Sequence, residues 1–292
     1  MRLVVIIATA DRPDLIGRLL KHLDAQRRPA DEVIISAPDE THVGRCQKHA
    51  FVTTYVYGKR GSSAQRNLGL NLALGRADII TFFDDDFLPA KDYLQRVVTA
   101  FEEHPDWAVV RGHAVKDGAN GPGITFEAGL AALQSAEGSR SLTLPEVVCD
   151  QVGGYGCNMS VRAAHVGDLR FDERLVLYGW QEDIDFTSQL RPYGRVVSLS
   201  TLIGVHLGVK SGRVSGVRFG YSQIINPIYL IKKGTIPIGF ATRLMGRNLA
   251  ANIVRSLWPE PYVDRRGRLK GNLLAACHLI QGKVAPEYVL SL

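Results

Sequence analysis

The chain has 292 residues, 46% hydrophobic and 22% charged, with a formal net charge of +6. These are globular proportions, and they exclude a disordered polar chain, a collagen-like repeat and a low-complexity array. Cys46, Cys149, Cys157 and Cys277 lie far apart with no CxxC pair, which excludes a zinc ribbon and a disulfide scaffold and suits a reducing cytosol.

RLVVIIAT (residues 2–9) is apolar and β-branched, as in a strand buried on both faces. It ends in charged residues with no small-residue cleavage site, so it reads as a strand and not a signal peptide. A helix follows, with Pro13 in its first turn and Leu15, Ile16, Leu19, Leu20 and Leu23 on one stripe. EVIIS (32–36) and FVTTYVY (51–57) predict two further strands. The glycine-bounded segment 61–75 predicts a second helix through Leu68, Leu72 and Leu74, and IITFF (79–83) a fourth strand. This alternation predicts an α/β fold with a parallel sheet, whose ligand crevice lies beyond the strand carboxyl ends. A helix over 91–104 and the strand WAVVRGHAV (107–115) complete this half. From 116 to 156 the pattern decays into a Gly- and Ser-containing stretch with one short helix near 126–134, read as a mobile loop region over the site. No eighteen apolar residues are consecutive, so no membrane span is expected.

FFDDDFLP places Asp84, Asp85 and Asp86 directly after an apolar strand. Three adjacent carboxylates repel one another, and Mg²⁺ or Mn²⁺ relieves that cost while bridging carboxylates to substrate phosphates; the alternative is a solvated acidic turn. GWQEDIDF brings Glu182, Asp183 and Asp185 to a helix start. A carboxylate there suits a general base, or an acidic helix terminus stabilised by the macrodipole. His206, after the strand-like VVSLSTLIGV, fits either a metal shell or a structural role. Arg66, in GSSAQRNLG at the start of the second helix, suits an anion, or is a surface arginine.

In this order, ATADRPDLIGRLL, GSSAQRNLGLNLALG, FFDDDFLP, GCNMSVR, GWQEDIDF and His206 make residues 1–207 resemble family 2 glycosyltransferases of the GT-A fold. The resemblance implies a Rossmann-like, mostly parallel central sheet flanked by helices, and an inverting, metal-dependent transfer of one sugar. Asp84 and Asp86 match the ends of the DxD motif, Asp86 as direct metal ligand with His206, and Asp84 also closer to the nucleotide ribose. Thr9, Arg12, Arg66 and Asp85 are implied to bind the donor. Asp183 matches the acceptor-deprotonating base, with Glu182 in support. The second strand lacks the family's terminal acidic pair that contacts uracil, which leaves Asp39 as a displaced candidate. Gln189 stands where an arginine is frequent, and no QxxRW follows, so the enzyme is expected to be non-processive. The implied cofactor is Mg²⁺ or Mn²⁺, the donor a UDP-, dTDP- or GDP-linked sugar, and the acceptor a glycan or lipid-linked hydroxyl in cell-surface polysaccharide or glycolipid synthesis.

Charge divides the chain. Residues 1–206 hold 22 basic and 26 acidic side chains, and residues 207–292 hold 13 and 3. The expected organisation is therefore a catalytic domain over 1–206, with a nucleotide-sugar half (1–115) and an acceptor half (116–206), and a mainly helical basic extension over 207–292. The extension suits an anionic membrane surface, with Tyr221, Tyr229 and Trp258 among its Lys and Arg. Two readings stand for it in a cytoplasmic enzyme: helices packed on the catalytic domain or facing the acceptor, or a surface resting on the inner face of the membrane. Nucleic acid is not an expected partner, because no helix-turn-helix, zinc finger or RNA-binding aromatic motif is present. Two alternatives remain on sequence: a catalytically silent nucleotide-sugar-binding module of the same fold, and a nucleotidyltransferase, which lacks its Gly-rich loop here.

Overall fold

A computed structural model describes residues 1–44, 47–139, 146–210 and 215–292; Cys46 and residues 140–145 of the expected loop region lie outside them. The first half follows the pattern. Strands β1 (Leu3–Ala8), β2 (Glu32–Ala37), β3 (Val52–Tyr57) and β4 (Ile79–Asp84) alternate with helices α1 (Pro13–Leu23) and α2 (Ser62–Ala73), although between β2 and β3 the described residues hold only a 3₁₀ turn. The strands lie in the order β3-β2-β1-β4, all parallel.

Successive side chains of a strand point to opposite faces, so β1 contributes to two cores. Leu3, Val5 and Ile7 pack under α1 and under α3 (Tyr93–Glu103), whereas Val4 and Ile6 meet Leu70 of α2 and Phe82, Phe171 and Phe186. In α2 the apolar stripe differs from the expected one. Leu72 is exposed, Leu74 lies past the helix end, and the inward face is Ala64, Arg66, Asn67, Gly69, Leu70 and Ala73. Small residues are needed on that face because a Cβ on Gly69 would sit 2.5 Å from an Ile6 methyl.

The second half departs from the mostly parallel expectation. It adds β5 (Phe87–Pro89), β6 (Trp107–Asp117), β7 (Val148–Asp150), β8 (Asn158–Arg162) and β9 (Arg195–His206) in the order β4-β8-β6-β9-β5, with β7 also on β9. Only β6–β9 is parallel there; β8 runs antiparallel to both β4 and β6, and β5 and β7 antiparallel to β9. β5, β7 and β8 span three to five residues each, too short to print a period in the sequence. The stretch read as loop holds a longer helix than expected, α4 (Phe126–Ser139), anchored by Phe126 and Leu133.

Helix α5 (Glu182–Ser188) is followed, beyond β9, by α6 (Gly216–Lys233), α7 (Ile238–Arg255) and α8 (Arg265–Ile280). Helices α6 and α8 cross with their backbones nearly touching: a Cβ on Gly220 would lie 2.0 Å from the Arg268 carbonyl oxygen, and one on Gly271 would lie 2.1 Å from that of Val217. A buried amide chain ties the three together, with Asn252 donating to Gln223 (2.8 Å) and Asn272 (2.9 Å), and Asn272 donating to the Gly220 carbonyl (2.7 Å). Lys233, at the end of α6, reaches Asp172 and the buried Asp185 of α5, each at 2.7 Å. The extension thus braces the helix that carries Glu182 and Asp183. Among the described residues, no helix is long and apolar enough to cross a membrane.

Candidate active site

A cavity of about 440 Å³ opens at the carboxyl ends of β1 and β4, where Ala8 and Asp84 are cross-strand partners. Asp84 closes β4, and Asp85 and Asp86 form the turn into β5. Asp84 and Asp86 turn to one point, and Asp85 turns away into a buried site beside Thr9 Oγ1 and Arg12 Nη1, both at 2.7 Å. Burial pushes the Asp85 carboxyl up to about 7; Arg12 opposes the shift and the neighbouring Asp86 adds to it.

β5 pairs with β9 so that Phe87 stands opposite His206, which brings the imidazole beside Asp86. Donor atoms of Asp84, Asp86 and His206 all lie within 4.8 Å of one another. His206 Nε2 faces Asp86 Oδ1 at 3.4 Å, and Nδ1 is held by Asp117 Oδ1 at 2.9 Å. Asp117 is the last residue of β6 and the cross-strand partner of His206. Its Oδ2 accepts from Tyr155 Oη (2.7 Å), and its Oδ1 also accepts from the Ala119 amide (2.8 Å). Two carboxylates and an imidazole with its second nitrogen fixed by a carboxylate form a donor set that fits an oxygen-preferring divalent cation. Although burial works against it, hydrogen bonds to Asp117 and Asp86 push His206 up to about 10. Although burial also opposes it, the hydrogen bond from His206 holds Asp117 down at about 2.

Arg66 is buried in the first turns of α2. Its guanidinium meets Asp84 Oδ1 (2.7 Å), the Gly156 carbonyl (3.1 Å) and Glu182 Oε1. Burial pushes Glu182 up to about 8 against the pull of Arg66. Asp183 Oδ2 accepts from the Gly156 amide (2.7 Å) and Oδ1 from the Ile184 amide (2.8 Å). Burial raises its pKa as well, and these amides and Arg66 oppose the shift.

The cavity therefore gathers Thr9, Arg12, Arg66, Asp84, Asp85, Asp86, Glu182, Asp183 and His206. Asp39 is not among its walls; that carboxylate caps the turn after β2 by accepting from the Thr41 amide (2.9 Å). Sequence reasoning missed Asp117 and Tyr155. Asp117 fell just past the predicted strand, in the stretch read as loop, because β6 runs two residues further than expected, and Tyr155 carried no signal. The outer wall adds Tyr178, Trp180, and Phe240 and Leu244 of α7.

The profile described as "Glycosyl transferase family 2" matches residues 4–142. Those residues, just under half of the chain, resemble a family 2 glycosyltransferase domain. Among solved structures, the chain is similar to S. aureus TarS 1–349 in complex with UDP-GlcNAc at 18% identity and a TM-score of 0.58, over 100% of this chain and 83% of that one. It is also similar to the mannosyltransferase PcManGT from Pyrobaculum calidifontis in complex with GDP-Man and Mn²⁺, at 18% identity and a TM-score of 0.54, over 99% and 78%. It spans 40% of the length of a longer TarS structure. At these identities the likeness is one of fold: the central sheet with flanking helices is that of the GT-A glycosyltransferases. No curated protein matches the sequence.

Proposed function

We propose that this chain is a family 2 glycosyltransferase and catalyses an inverting, metal-dependent transfer of one sugar from a nucleotide-sugar to a hydroxyl of a glycan or lipid-linked acceptor. The observation that carries this reading is the convergence of Asp84, Asp86 and His206 on one point of a cavity that Asp183 also lines. Asp84, Asp86 and His206 would hold Mg²⁺ or Mn²⁺, which would supply charge neutralisation of a departing diphosphate. Asp183 accepts the proton of the acceptor hydroxyl; the acceptor oxygen bonds to the anomeric carbon as the bond to the diphosphate breaks, and the configuration inverts. A carboxylate raised by burial is a stronger base than one in water, while the Gly156 amide keeps it aimed. Arg66 ties Glu182 to Asp84, and Thr9 and Arg12 line the nucleotide end. Asp39 lies off the cavity and is assigned no part in this scheme.

The donor base is left among uridine, thymidine and guanosine. The UDP-sugar and GDP-sugar complexes of the two fold neighbours make UDP and GDP the first probes. Asp183→Asn is the test of the chemistry. It is expected to lower turnover by about 10²- to 10⁴-fold and to leave nucleoside diphosphate affinity within about twofold; transfer at the wild-type rate would remove the base.

The reading includes an anionic membrane surface, in the cytoplasm, as the place where the acceptor is met. Two of the aromatic residues expected there are turned inward: Tyr221 is fully buried against His278, and Tyr229 donates to Asp172. Support comes instead from the end of α7, where Ile253, Val254, Leu257 and Trp258 are 50%, 63%, 66% and 80% exposed. At about 100° per residue, Arg243, Arg247 and Val254 share one outward face. Each basic residue near such a surface contributes about 1 kcal/mol. Sedimentation with phosphatidylglycerol-containing vesicles, but not with pure phosphatidylcholine, is expected; equal or no binding to both would remove the membrane from the scheme.

A further inference from the structure

Gln181 is the residue before Glu182, and nothing in the scheme above uses it. It lines the cavity, yet only 4% of its surface is exposed. Neither Nε2 nor Oε1 has a hydrogen-bond partner among the described residues. A carboxamide offers two donor hydrogens and two acceptor lone pairs, and leaving such a group buried without a partner costs about 1–3 kcal/mol. Buried polar groups are satisfied in the great majority of proteins, so this exception calls for an explanation.

The backbone adds a second one. Gln181 has φ +78°, a left-handed conformation, and Leu177 at +60° and Gly179 at +59° precede it. Non-glycine residues rarely adopt this region, and such strain collects where a site needs a side chain aimed in a given direction. The bend is closed by the Glu182 amide donating to the Gly179 carbonyl (2.8 Å) and held from outside by Ser62 Oγ on the Tyr178 carbonyl (3.2 Å) and Asn226 Nδ2 on the Trp180 carbonyl (2.9 Å). Two helices from different parts of the chain, α2 and α6, thus fix the segment that presents the amide.

Position selects the ligand. Gln181 lies two residues before Asp183, the base of the scheme above, and beside the Glu182 that binds Arg66. It is buried, whereas the outer wall carries Tyr178, half exposed, with Trp180, Phe240 and Leu244. A group that deep meets the substrate seated first and deepest, the ring joined to the diphosphate. We propose that the Gln181 carboxamide reads hydroxyls of the transferred sugar, donating to one and accepting from its neighbour, and so sets which sugar is accepted. This rests on the glycosyltransferase reading and names a specificity residue for it.

The experiment compares wild type, Gln181→Met and Gln181→Glu by calorimetry with Mn²⁺, titrating UDP, UDP-GlcNAc, GDP and GDP-mannose, and measures the melting temperature of each free protein. Methionine keeps the length and the same backbone demand but removes both polar atoms. The expected result is that affinity for the preferred nucleotide-sugar falls about tenfold or more, affinity for its nucleoside diphosphate stays within about twofold, and the melting temperature is unchanged or higher. Gln181→Glu, which keeps the acceptor oxygen and loses the donors, is expected to shift the preference between the two sugars. Equal loss for sugar and diphosphate, or no loss for either, overturns the assignment. If wild type binds no nucleoside diphosphate with Mn²⁺, the glycosyltransferase reading itself fails, which is a distinct outcome.

Discussion

Arg66→Met probes the electrostatics of the site most sharply, because its cost must change with pH in a way a packing defect does not. The guanidinium is 3% exposed and serves both Glu182, 8% exposed, and Asp84, 34% exposed. Removing one partner of a buried ion pair costs about 3–5 kcal/mol when the remaining charge stays ionised. Glu182 can escape that penalty. Its pKa is already about 8 with Arg66 present, and without the arginine it rises further, so below pH 8 the variant holds a neutral carboxylic acid. The cost there reduces to lost hydrogen bonds and a partly solvated Asp84, about 1–3 kcal/mol.

The sign follows from linkage. A carboxyl whose folded pKa is raised stabilises the folded state at low pH, and that stability is lost as pH rises from the unfolded value, about 4.3, to the folded one. In wild type the loss is complete near pH 8. In Arg66→Met it continues, at about 1.4 kcal/mol per pH unit. Urea denaturation between pH 6 and 9.5 is therefore expected to show a gap that is steady below pH 8 and widens above it. A gap independent of pH across that range would refute the reasoning and make Arg66 a packing residue.

Asp117 acts through His206. Asp117→Ala is expected to weaken Mn²⁺ binding by about 10- to 100-fold at pH 8, as removal of a ligand-orienting carboxylate does. Asp117→Asn, whose amide oxygen still accepts from Nδ1, should lose much less; the resonance of free Mn²⁺ in a titration reads both, and equal losses would contradict the orienting role. In the extension, Gly220→Ala forces a methyl against the Arg268 backbone and is expected to destabilise by about 1–3 kcal/mol or more. The exposed Gly246, with nothing within 4 Å of a Cβ, should instead gain about 0.5–1 kcal/mol on change to alanine. Chemical denaturation distinguishes the two, and a stable Gly220→Ala protein would show that α6 and α8 separate at little cost.

Elements with long periods were legible in the sequence. The β1 run, the stripe of α1 and the acids after β4 each follow from local rules, and the same rules put the ligand crevice at Asp84–Asp86. What escaped was set by pairing. β8 has five residues and takes its direction from lying between β4 and β6, and Asp117 joins the site only because the β6–β9 register places it opposite His206. Helix α2 misled because its inner face is built from Ala64, Arg66, Asn67 and Gly69, which serve the site and the close contact with β1, whereas the expected Leu72 points to solvent. Tyr221 and Tyr229 looked like surface aromatics in a basic tail, but polar partners on other elements draw them inward. Gln181 had no sequence signal, since an unpartnered amide is visible only once its surroundings are known.

Calorimetric titration of UDP and GDP, each with and without Mn²⁺, into wild type and Asp86→Ala tests the central claim most directly. Asp86 joins Asp84 and His206 at one point, and the account predicts that one of the two nucleotides binds wild type only when Mn²⁺ is present, and that Asp86→Ala abolishes this dependence along with most of the affinity. Nucleotide binding that is the same with and without the ion, and in both proteins, would contradict it.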